Sequence, residues 1–211
     1  MTHTIPITVS FGDGIGPEIM TSTLTILRYA KVPISVHMVE IGQRAYHHGF
    51  RYGIPASCMD TIMKHRTLLK APHCPPPTSD YAQLNLPEYL HCDERISQSP
   101  DPNSVYISNG LTMQALGFIG KDYAVFEPEH SELSELADQD RVNPTAMILA
   151  AIMMLRHLAL HDHAHTIKQA LHQTLADGYR TADMESTLPE GTTIVGTTAF
   201  TQAIIERLLD K

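Results

Sequence analysis

The stretch Ile7 to Met20, ITVSFGDGIGPEIM, decides the fold. Ile7 to Phe11 is a short β-branched run that reads as a strand, and the glycines that follow permit positive φ and close backbone approach. Beyond them Ile19, Leu24, Leu27 and Ala30 recur at helical spacing. The result is a strand, a tight turn and a helix: one βα unit. The glycine spacing is not that of the dinucleotide-binding fingerprint, which also needs a later ribose-binding acid.

The same alternation continues outward. Ile34 to Gly42 (ISVHMVEIG) alternates apolar and polar as a second strand, and ASCMDTIMKH precedes a third short run at Thr67 to Leu69. Strand and helix in turn imply an α/β domain, a three-layer sandwich with a largely parallel central sheet flanked by helices, spanning residues 1–211 as a single unit. Residues 72–102 break the pattern with PHCPPPTSD and ISQSPDPNS, rich in proline and turn formers. Order returns with a helix expected through Leu111 to Leu116, a strand at Tyr123 to Glu127, a long helix from Pro144 to Leu160 and another from about Thr166 to Ala176. TTIVG gives a last strand. The closing helix puts Phe200, Ile204, Ile205 and Leu208 on one face, with Thr197 or Thr198 as the expected N-cap.

Composition sets bounds on partners. With 211 residues, 43% of them hydrophobic, the chain can bury a substantial core. A formal net charge of -8 argues against nucleic acid and anionic membranes as partners. The start, MTHTIPITVSF, has no basic region leading into a long apolar run, and no apolar stretch reaches the roughly 18 residues of a membrane helix. Cys58, Cys74 and Cys92 are odd in number and lack CxxC spacing, which indicates neither a disulfide framework nor a thiolate zinc site and fits a reducing cytoplasm.

GDGIGPEI, Leu68 to Pro76 (LLKAPHCPP) and above all Phe126 to His157 (FEPEHSELSELADQDRVNPTAMILAAIMMLRH) resemble the isocitrate/isopropylmalate dehydrogenase family. The last stretch aligns with that family's adenosine-binding loop and following helix without insertion or deletion. The resemblance implies an adenine or NAD site built from Ile15, His130, Glu135 and Asn143, with NAD preferred because a carboxylate at Glu135 repels the 2'-phosphate of NADP. The family's loop glycines have become Ser131 and Asp138, and Glu129, Glu132 and Asp140 crowd the loop. Each extra negative charge opposes a pyrophosphate by about 2–3 kcal/mol at ~6 Å and an effective dielectric near 20, so NAD binding is expected to be weak.

Catalysis in the family requires a Tyr and a Lys for proton transfer, a Mg or Mn ion held by aspartates, and arginines that grip the substrate carboxylates. By the same resemblance the metal-binding aspartates fall on Val105 and Asn109, the substrate Ser on Gln83 and the first clamp Arg near Tyr89. Lys70, Asn85 and Arg95 remain as pocket remnants. Cys74 stands where the family has a small hydroxyl residue. The small domain that carries the catalytic Tyr and Lys has no room between about Ile96 and Asn103. No catalytic residue and no bound metal are therefore expected, since a valine offers a hard cation nothing.

His157, His161 and His165 recur every four residues, a metal-capable stripe on one continuous helix, but the resemblance places a turn near His161 and leaves them as surface histidines. Met113, Met147, Met153 and Met154 read as core or interface. Three function classes follow: a non-catalytic nucleotide-binding or regulatory domain, a dehydrogenase subunit completed in trans by a full-length partner, and a structural or His-rich metal-binding module. A homodimer, or association with another subunit, is expected through the apolar run around Leu111 to Leu116.

Overall fold

A computed structural model of the protein describes residues 4–100, 113–187 and 191–210. Its centre is a six-stranded sheet. The strands are β1 (Ile5–Ser10), β2 (Ile34–Val39), β3 (Thr67–Lys70), β4 (Glu94–Gln98), β5 (Ala115–Ile119) and β6 (Ala124–Pro128), in spatial order β2-β1-β3-β6-β5-β4. The pairs β1–β2, β1–β3 and β3–β6 are parallel, whereas β5 runs antiparallel to both β6 and β4. The helices are α1 (Gly16–Tyr29), α2 (Gln43–His47), α3 (Ala56–His65), α4 (Leu86–Tyr89), α5 (Thr145–His157), α6 (His161–Ala176) and α7 (Thr197–Leu209). A separate parallel pair, β7 (Tyr179–Thr181) and β8 (Thr193–Val195), lies between the last two of these.

Period-two alternation in the strands builds a core on each side of the sheet. Ile7, Val9, Leu69, Ala124 and Phe126 face α1, α5, α6 and α7, while Leu68 and Val125 face Ile62 of α3 and Leu86 and Leu90 around α4. Every residue of α5 from Thr145 to Leu155 is buried, so this helix is apolar all round because protein surrounds it. The four methionines singled out from the sequence are core residues. Among the described residues no helix is long and apolar enough to cross a membrane.

The structure corrects several expectations. The helix expected at Leu111 to Leu116 is instead the strand β5, beginning at Ala115; Leu111 itself lies outside the described residues. Ala115 and Leu116 are buried in the sheet, and β4 pairs along its edge. That strand and α4 fall inside 72–102, which is thus more regular than its prolines suggest. The second long helix begins at His161 rather than near Thr166. Ala159 (φ 59°) turns the chain between α5 and α6, which breaks the histidine stripe as expected. The N-cap of α7 is Gly196, not Thr197 or Thr198.

Candidate functional site

The C-terminal ends of the parallel strands β1, β2, β3 and β6 lie along one rim of the sheet, where open α/β sheets hold their ligands. The loops leaving them are tied together by the first glycine turn. Gly12 and Gly14 adopt φ of 64° and 57°, and a Cβ on them would lie 1.8 Å from the Pro72 carbonyl oxygen and 2.1 Å from that of Glu132. No other residue fits. Asp13 N–H donates to Pro72 O and Ile15 N–H to Glu132 O, both at 2.8 Å. Asp13 Oδ2 in turn accepts backbone N–H groups from Gln43 at 2.9 Å and Cys74 at 2.7 Å. Ile15 itself is fully buried.

Beside it, at the ends of β3 and β6, opens a cleft of about 420 Å³. Lys70, its side chain 9% exposed, pairs with Glu127 at 2.6 Å across the cleft floor. Lys70 Nζ also lies 3.4 Å from His73 Nδ1. An ammonium can only donate, so Nδ1 accepts and the imidazole carries its proton on Nε2, which can donate to the Gln83 side chain only when that amide turns its oxygen toward the ring, since the 3.3 Å contact is to the amide nitrogen. Burial, with Lys70 adjacent, pushes the His73 pKa down to about 3, so the ring is neutral near pH 7. Sequence reasoning did not single out His73. Asn85 also lines the cleft, but its side chain caps α4, accepting from Glu88 N–H at 3.4 Å and donating to the Glu88 carboxylate at 3.2 Å. Burial raises the Cys74 thiol above its ordinary range, so it is not a standing nucleophile.

The loop after β6 leads from Glu129 through a 3-10 turn at Ser134–Leu136 to α5. His130 Nδ1 meets Ser131 O at 3.0 Å and must donate to it, leaving Nε2 as an acceptor; Nε2 is sealed from solvent and has no hydrogen-bond partner. Burial lowers the pKa of this ring, which keeps it neutral. Glu135 is exposed. Asn143 is buried: its N–H donates to Asp183 Oδ2 at 2.7 Å, its amide to Thr181 at 2.9 Å and the Met184 sulfur at 3.0 Å, and its Oδ1 receives Thr145 N–H at 2.9 Å.

The structure therefore ties Ile15, through the Glu132 carbonyl, to the loop that carries His130, with Lys70 and Asn85 in the neighbouring cleft, while Asn143 is enclosed among its own partners. Arg95 projects from β4 into an ion pair with Glu129 at 2.9 Å, and it does not line the cleft. Of the acids expected to crowd the loop, Glu129 is engaged in that pair, and Asp140 accepts the Thr198 N–H at 2.7 Å, anchoring the start of α7. Val105 and Asn109 lie outside the described residues.

A profile of the family described as isocitrate/isopropylmalate dehydrogenase matches residues 101–204. Isocitrate dehydrogenase (NADP) of Rickettsia bellii aligns with 100% of this chain and 71% of its own length at 23% identity. The solved structure of isocitrate dehydrogenase from Methylococcus capsulatus superposes with a TM-score of 0.82, at 18% identity, covering 96% of this chain and 99% of its own. The chain belongs to the isocitrate/isopropylmalate dehydrogenase family. A β-decarboxylating dehydrogenase from Thermococcus kodakarensis shares the fold at a TM-score of 0.81 and 15% identity, covering 98% of this family member and 97% of its own chain. The mitochondrial isocitrate dehydrogenase (NAD) subunit 2 of Saccharomyces cerevisiae is 37% identical over 109 residues, 48% of this chain but only 28% of that protein. The Rickettsia alignment runs over 345 positions against the 211 residues here, so that relative carries much within its matched span that has no counterpart in this family member.

Proposed function

We propose that this family member is a non-catalytic nucleotide-binding domain that takes the adenosine portion of NAD, or a simpler adenine nucleotide, at the junction of Ile15, His130 and Glu135, and acts as a regulatory subunit. The observation that carries the reading is the orphaned acceptor at His130 Nε2. A buried imidazole nitrogen without a partner costs about 1–3 kcal/mol, and an N–H such as the adenine amino group would satisfy it. Asn143 positions the backbone before α5 rather than reading the base itself. The reading of the chain as non-catalytic rests on the sequence: the positions matching the metal-binding aspartates are Val105 and Asn109, and the segment that would carry the proton-transfer Tyr and Lys is absent.

NAD is favoured over NADP because the family resemblance assigns the exposed Glu135 to the ribose hydroxyls, where its carboxylate would repel a 2'-phosphate. Solvent screening reduces that repulsion to on the order of tenfold in affinity. The test is a pair of titrations, NAD against NADP, on the native chain and on Glu135→Lys. The expected result is a preference for NAD that narrows or reverses in the variant. Tighter binding of NADP by the native chain overturns the assignment of Glu135.

A further inference from the structure

On the face of α6 away from the sheet lies a second feature, remote from the glycine turn. His165, Lys168, Gln169, His172, Gln173 and Ala176 form one stripe along this helix, and with Arg156 of α5 and Arg207 and Asp210 at the end of α7 they line an open cleft of about 820 Å³. Half of its ten lining residues are Arg, Lys or His and one is acidic, in a chain whose formal net charge is -8. Arg156 and Arg207 sit in the last turns of their helices, where cations are favoured by the helix dipole. That explanation does not extend to His165, Lys168 and His172, which lie within α6.

The flanking groups fix the cations of the cleft in place. Arg207 forms an ion pair with Asp177, so the two charges compensate one another, the same carboxylate accepts from the Gln173 amide at 2.7 Å, and the guanidinium lies 5.1 Å from the centre of the Tyr179 ring. Arg156 is braced by donating to Gln98 Oε1 at 3.0 Å. Both cations are held in place at opposite ends of the stripe. From His165 to Ala176 the helix rises about 16 Å, so the positive groups are spread along a line rather than gathered round a point.

We propose that this cleft binds a linear oligophosphate, a chain of three or more phosphoryl groups. Lys168 would grip its middle, Arg156 and Arg207 its ends, and the protonated imidazoles would donate to its bridging and terminal oxygens. A single phosphate cannot reach both ends. The chain could be inorganic polyphosphate or the 5' end of a nucleoside triphosphate. The site is separate from the adenosine junction and stands independently of it. His172 titrates below the ordinary histidine range through burial and the neighbouring Lys168; His165, Lys168, Arg156, Arg207, Asp210 and Asp177 are the other charged or titratable groups facing the cleft. An anion favours the protonated imidazoles, so binding tightens as the pH falls.

The experiment is isothermal titration of the full chain with sodium tripolyphosphate, orthophosphate and ATP at low salt. Tripolyphosphate, which has no base, cannot report on the adenosine junction. Expected are binding of tripolyphosphate roughly tenfold or more tighter than orthophosphate, a steep loss with added salt, and a loss of roughly tenfold or more in Lys168→Glu. Lys168→Gln and Arg156→Gln serve where charge reversal disturbs folding, checked by an unchanged circular-dichroism melt. ATP displacing tripolyphosphate identifies a nucleoside triphosphate as a competent source; displacement by longer inorganic chains alone identifies polyphosphate. Absence of tripolyphosphate binding, equal affinity for orthophosphate, or indifference to all three substitutions overturns the proposal.

Discussion

The carboxylate of Asp13 accepts the backbone N–H of Cys74 at 2.7 Å, joining the loop after β1 to the loop after β3 across 61 residues of chain. The same oxygen accepts the N–H of Gln43, so one side chain fixes three of the loops on the rim where the nucleotide is proposed to bind. Asp13→Ala strands two amide donors and should lower stability by about 1–3 kcal/mol. Asp13→Asn keeps an oxygen acceptor and should lose less. Urea unfolding of the two variants checks this; equal losses would show that the carboxylate acts through its charge and not as the acceptor that ties the loops.

Lys70 and Glu127 form an ion pair in which both side chains are largely buried. Removing one partner leaves an uncompensated charge, so Lys70→Met and Glu127→Leu should each cost about 3–5 kcal/mol. The double variant should be more stable than the sum of the single losses implies. A double-mutant cycle by chemical denaturation measures the coupling, and additive losses would contradict the pairing.

His73 gives a pH signature. Its folded pKa of about 3 lies below the ordinary 6.5, so the unfolded chain binds the extra proton as the pH falls between those values. The stability contributed by the neutral ring is complete above about pH 6.5 and is lost on acidification toward pH 3, by up to about 1.4 kcal/mol per pH unit. His73→Gln should flatten that part of the stability profile. An unchanged acid limb in the variant would place the titration elsewhere.

How far the sequence could be read depended on whether the cause was local. The turn at Gly12 to Gly16 was legible because its requirement, positive φ under close backbone contact, is set by adjacent residues. The β5 strand was not, because Ala115, Leu116 and Gly117 are covered on both faces and therefore lose the polar alternation that marks a strand. The edge strand β4 was hidden for the opposite reason: it is polar, and it sits inside a proline-rich stretch. Asp140 read as a charge set against a ligand, yet it anchors α7 across 58 residues, a partnership no local pattern announces. His73 carried no motif at all; its meaning comes from Lys70 and Gln83, brought beside it only by the fold.

The chain should not oxidise isocitrate, isopropylmalate, tartrate or homoisocitrate with either nicotinamide cofactor, with or without Mg or Mn. NADH or NADPH absorbance under saturating substrate is the assay. Metal-dependent turnover by purified protein, free of host dehydrogenase and surviving substitution of Arg95, would show that the catalytic residues have been misplaced.

Isothermal titration of the native chain and of His130→Ala with NAD, ADP and AMP addresses the nucleotide site most directly. The account predicts a weak, saturable, one-site heat for NAD and for at least one of the smaller adenine nucleotides, reduced by roughly tenfold in His130→Ala when the acceptor at Nε2 is removed. No heat with any of the three nucleotides at high ligand concentration, or affinities that do not change in the variant, would contradict it.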